Sequence, residues 1–141
     1  MRRRYVCRML VSICILVCSL SGCHSDPDTV YQLKVTSYMW NGWDAYYVPE
    51  EGVDLLDITP RGRYTITGFV EDTMELKIRR VSDDGVTFVT SESLSIRTEE
   101  GYLLDECYTK FEIKPGETLS LASPSYDGGM IFEFELIPCE E

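Results

Sequence analysis

A single histidine, His24, among 141 residues removes the general base that most serine and cysteine nucleophiles need, because a hydroxyl or thiol attacks poorly until a neighbour takes its proton. The common triads and dyads are therefore absent. No phosphate-cradling glycine motif occurs, and no pairing of CxxC motifs. Basic residues are also scarce, 13 Lys and Arg against 24 Asp and Glu. Such a field repels phosphates and makes nucleic acid and anionic headgroups poor partners. Long apolar runs are missing too. The stretch from Met9 to Leu20 falls short of the roughly 20 residues that a membrane-spanning helix requires. Beyond it no long 3.6-residue apolar period follows, so helices are not expected.

What is present begins at the N-terminus. Four arginines, Arg2, Arg3, Arg4 and Arg8, precede the apolar run, and the small residues Ser21 and Gly22 lead into Cys23. That is the layout of a secretory signal. Leu20-Ser21-Gly22-Cys23 resembles the lipobox of bacterial lipoproteins, in which lipid is attached to the cysteine sulfur and the signal peptidase cuts just before it. The resemblance covers residues 1 to 23. It implies a signal peptide at 1–22, a lipidated Cys23 opening a short tether at 23–28, and a domain held outside the cytoplasmic membrane. One acyl chain alone binds marginally, but the two or three that the family implies anchor stably. Cys7, Cys14 and Cys18 leave with the signal, so zinc sites built from Cys and His are excluded. His24 would sit at the membrane surface beside the acylated cysteine, outside any folded active site.

Processing removes four of the 13 basic residues and no acid, leaving nine against 24 and a net charge of -15 on the mature chain. The acids serve solubility more readily than a site. Asp83-Asp84-Gly85, Asp105-Glu106 and Asp127-Gly128 could each offer oxygens to calcium, but none has the spaced D-x-D-x-D-G pattern, and they read as turn acids. No metal and no cofactor is implied. Cys107 and Cys139 could pair in an oxidising exterior. Their place in a simple meander sets them at opposite ends of the domain, so the disulfide depends on residues 101–106 folding back as a loop.

Residues 29–141 suit one domain. Period-two alternation recurs throughout: Tyr31, Leu33, Val35 and Met39 share one face of the first run, and Gln32, Lys34 and Thr36 the other. Asn41-Gly42 signals a type I′ hairpin, which would make Trp43 to Val48 the returning strand. Residues 49–61 read as a loop with one helical turn or short strand. Strands are expected at Arg63–Val70, Thr73–Val81 with Met74, Leu76 and Ile78 inward, Val86–Thr90 after an Asp84-Gly85 turn, Cys107–Ile113, Thr118–Ala122 and Met130–Leu136. Glu71-Asp72 and Pro115-Gly116 read as tight turns, the latter of type II. Seven to nine short strands in one domain favour an all-β, antiparallel, immunoglobulin-like β-sandwich over a barrel.

Tyr38, Trp40, Trp43, Tyr46 and Tyr47 crowd both arms of the Asn41-Gly42 hairpin, and both tryptophans of the chain lie among them. Alternate rings could fill the core while the others make cross-strand pairs. Facing outward, they could stack on sugars or on a partner's apolar surface; periodicity sets Tyr38 and Trp40 opposite Leu33 and Val35. The pattern points to a non-catalytic binding or interaction module of the bacterial cell envelope, with a protein or carbohydrate ligand. An inhibitor or accessory subunit of a secreted enzyme is the alternative, and a small carboxylate-dependent hydrolase the third.

Overall fold

The alternation in sequence builds eight strands in a computed structural model that describes residues 31–44, 46–67 and 73–139. In chain order they are β1 (Tyr31–Asn41), β2 (Glu51–Ile58), β3 (Arg63–Ile66), β4 (Met74–Ser82), β5 (Gly85–Thr98), β6 (Gly101–Ile113), β7 (Thr118–Ala122) and β8 (Gly128–Pro138). Cys23, His24 and the Glu71-Asp72 turn lie outside the described residues. Among those residues no helix is long and apolar enough to cross a membrane.

Every pairing is antiparallel, and the strands follow one path, β2-β1-β8-β7-β5-β4-β3, with β6 also paired to β5. The all-β expectation holds. In place of two separate sheets there is one, nearly closed into a barrel. The reason lies in β5. Its first half pairs with β4 and β6, its second half with β6 and β7, and the register shifts between Val89 and Leu94 where it turns the corner. A strand that bends through an irregularity can serve both halves of a folded-over sheet. Periodicity shows which face a residue takes but not where a strand bends.

The first and last strands lock together from Tyr31 opposite Pro138 to Asn41 opposite Gly128, which brings Leu33 against Leu136 and Val35 against Phe134. Inside, the Phe88 ring lies 5.7 Å from Phe111 and 5.1 Å from Phe134, and Phe132 lies 6.4 Å from Phe134. These tilted contacts fall in the range where ring pairs add to simple burial. Met74, Leu76 and Ile78 point inward from β4 as the alternation predicts. The strands at the two ends of that path, β2 and β3, are bridged by side chains. Thr67 donates from N and Oγ1 to the Asp54 carboxylate at 3.0 and 2.9 Å, and the Tyr64 hydroxyl donates to Asp57 O at 2.6 Å.

Turn chemistry agrees with the sequence at Pro115-Gly116 and departs from it elsewhere. Pro115-Gly116 forms the expected type II turn, with Gly116 at φ 75° and Glu117 N donating to Lys114 O at 3.0 Å. The hairpin between β4 and β5 turns on Asp83 and Asp84 instead, and Gly85, at φ 142°, opens the returning strand. Only glycine fits there, since a Cβ would collide with the Ile113 carbonyl oxygen. Residues 101–106 are not a loop; they form the first half of β6, entered through Gly101 at φ 114°.

Candidate functional site

Asn41-Gly42 does not make the expected hairpin turn. Neither residue takes a positive φ, and the chain returns on β2, whose ladder with β1 begins at Tyr38 opposite Glu51. None of the described residues of 42–50 is in a strand, so the strand expected at Trp43–Val48 is a connection. Local side chains shape it. Asn41 Oδ1 accepts from Trp43 N at 2.9 Å, and Asp44 Oδ1 accepts from Tyr46 N at 2.9 Å. These are asparagine and aspartate turns, in which the side chain occupies a backbone donor that a ladder would need. Pro49 has no donor to offer a ladder at all.

The five rings divide in two groups. Trp43 and Tyr46 are 80% and 93% exposed on the connection, with Val48 beside them at 84%. Tyr47 is half-buried. Tyr38 and Trp40 lie on the outer face of β1, half-buried, and none of the five enters the core. Trp40 covers backbone: it stands opposite Gly129, where an added Cβ would lie 3.3 Å from its Nε1, and a Cβ on Gly42 would lie 3.4 Å from its Cζ3. A ring laid over glycines shields strand backbone that lacks side chains of its own. The Tyr38 hydroxyl donates to Glu133 Oε1 at 3.4 Å. Partial burial, then the negative field of Glu133 and the neighbouring Tyr102, raise its pKa above the ordinary 10.0.

Two further segments reach the same end. Gly42 N donates to Asp127 O at 3.1 Å, tying the aromatic connection to the one between β7 and β8. Tyr126 in that second connection is 75% exposed, and its hydroxyl donates to Asp105 Oδ1 at 3.2 Å, which raises its pKa. Asp105 lies where β6 arches outward, five positions from Tyr102 to Cys107 against two from Arg97 to Ser95, held by Ser95 Oγ donating to Leu103 O at 2.9 Å. Leu103 is exposed on the arch. Tyr126 and Leu103 lie far from the aromatic run in sequence, and the segments that carry them are linked to it through the Gly42–Asp127 and Tyr126–Asp105 hydrogen bonds.

The segments 41–51, 101–108 and 123–129 contain no lysine or arginine, while Asp44, Glu50, Glu51, Asp105, Glu106 and Asp127 all lie in them. The end therefore combines flat rings with negative charge. Such a surface suits stacking on an apolar or cationic group. Among the described residues no three His, Cys, Asp or Glu side chains gather as a metal site. Asp83 and Asp84 occupy their turn, exposed, at a different place from Asp105 and Asp127.

No disulfide joins Cys107 to Cys139. The ladders give the reason: Cys107 lies opposite Ser95, Ser95 opposite Ala122, and Ala122 opposite Ile131, so Cys139 follows eight residues farther along β8. At about 3.3 Å per residue that is about 26 Å, well beyond the 7 Å reach of a bridge. No family model, no curated protein and no solved structure matches the chain.

Proposed function

We propose that this chain is a lipid-anchored, extracytoplasmic interaction module of the bacterial cell envelope, non-catalytic, which grips its partner through the connection between β1 and β2. The lipobox-like Cys23 supports the anchor. The exposure of Trp43, Tyr46 and Val48 on one short, locally braced connection carries the binding reading. A monomer gains nothing in stability from rings held in water, and aromatic anchors are the residues that dominate interfaces. A protein surface or a sugar would meet them, with Asp44 beside the rings to accept from a donor.

The connection lies at the end of β1 opposite the tether, ten residues or about 33 Å along the strand from Tyr31. A photo-crosslinking residue placed at Tyr46 in cells should give discrete adducts that the same residue placed at Glu117, in the Pro115-Gly116 turn, does not. Identical smears from both positions would end the binding reading. Mass spectrometry showing an unmodified sulfhydryl at Cys23 would end the anchor reading independently.

A further inference from the structure

Five of the nine basic residues that follow Cys23 gather on one outer face of the sheet: Arg63, Lys77, Arg79, Arg80 and Lys110. The ladders set Arg63 opposite Lys77, Lys77 opposite Val89 and Val89 opposite Lys110, so three cations share one row across four strands. Directly opposed like charges destabilise a strand pair. Folding alone gives no reason for Arg63 beside Lys77.

A bulge adds to the concentration. Ile78 pairs with Phe88 and Arg80 with Thr87, which leaves Arg79 as the extra residue and exposes two successive arginines. Bulges commonly re-aim side chains in this way. Arg79, Arg80 and Lys110 line one shallow depression with Thr87, Val89 and Glu112. Glu75 and Glu112 are the carboxylates on this face, and the ion pair of Lys34 with Glu135 lies on other strands.

β1 begins at the end of the domain where β4 finishes. The Tyr31 hydroxyl donates to Ser82 O at 3.2 Å and Asp83 O at 3.1 Å, at the end of the strand that carries Lys77, Arg79 and Arg80. Seven residues separate Cys23 from Tyr31, a span of at most about 29 Å over eight steps. A lipid on Cys23 therefore keeps the basic face within reach of the bilayer surface.

We propose that the outer face of β3, β4, β5 and β6 docks on the phosphates of anionic lipid headgroups in the membrane that holds the lipid anchor; the inference rests on the lipidation of Cys23. The overall charge of -15 does not forbid it. Screening at physiological salt acts over about 8 Å, so headgroups in contact with this face sense its cations and little of the carboxylates on the far side. Arginine guanidinium groups match phosphate oxygens in pairs, and an array of them suits an array of headgroups.

The test reconstitutes the acylated protein in phosphatidylcholine vesicles with and without phosphatidylglycerol, and follows acetylation of single lysines by mass spectrometry. Lys77 and Lys110 should react about fivefold more slowly on the anionic vesicles, the factor that corresponds to about 1 kcal/mol of headgroup attraction. Lys34 should not change, and high salt should restore reactivity. The R79Q/R80Q double variant should lose the protection. Equal labelling on both vesicles would overturn the proposal. So would protection on neutral vesicles that grows with protein density, which would identify a second copy, offering its acidic end, as the occupant. The same spectra show the mass on Cys23, and a bare cysteine there with no attachment to neutral vesicles marks failure of the anchor, separately from failure of the face.

Discussion

Two groups of rings among the described residues have opposite uses, Phe88, Phe111, Phe132 and Phe134 inside the nearly closed sheet and the tryptophans and tyrosines of the segment 38–47 on its outside. Phe88, Phe132 and Phe134 are wholly buried and touch one another; Trp43 and Tyr46 touch little besides their own turn. The first group has no polar atom to satisfy and can be sealed from water. The second carries an N–H or O–H that keeps one edge wet, so it tolerates the surface. Placement, more than ring count, separates stability from recognition.

Substitutions that treat the two groups alike should break this contrast or sharpen it. Phe134→Ala removes the ring in contact with both Phe88 and Phe132 and should cost about 3–5 kcal/mol in urea unfolding. Gly85→Ala, at a positive φ and against the Ile113 carbonyl, should cost about 1–3 kcal/mol, from strain and not from lost burial. Trp40 stands between the groups, and Trp40→Ala should cost about 1 kcal/mol by uncovering the Gly42 and Gly129 backbone. Trp43→Ala and Tyr46→Ala should each change unfolding by no more than about 0.5 kcal/mol, and Trp43→Ala should abolish the crosslink made from position 46. A loss at Trp43 as large as that at Phe134 would dissolve the distinction.

A subtler contrast uses pH. Tyr31 has its pKa raised by burial, then by Asp83 and Asp84; Tyr38 by burial, then by Glu133 and Tyr102. A folded-state pKa above the unfolded value means that the neutral phenol stabilises the fold fully below about pH 10, and that this stability is lost as pH rises through the folded value. Denaturation midpoints followed across that window should fall with alkali, and Tyr31→Phe and Tyr38→Phe should flatten the fall. An unchanged slope in the double variant would refute it.

Much of the fold was legible. Residues 118–122 and 130–136 alternate so cleanly that their strands follow from period two alone, and Pro115-Gly116 carries its turn in its own φ preferences. The aromatic run was legible as an enrichment, though not its form. Asn41-Gly42 favours a tight hairpin in isolation, but residues 39–41 are already paired with β8, and the side chains of Asn41 and Asp44 occupy backbone donors beyond. Tertiary pairing overrode a local preference worth about 1 kcal/mol or less.

By itself the chain determined its class, its inward faces and the negative balance of its charge, because these follow from residue types and a two-residue period. The bend in β5, the arch that carries Asp105 to Tyr126, and the sorting of scarce cations onto one face were decided only by the tertiary structure. Each depends on which strands become neighbours and in what register. Registers are chosen by the packing of the whole interior, in which residues a hundred positions apart, such as Leu33 and Leu136, meet.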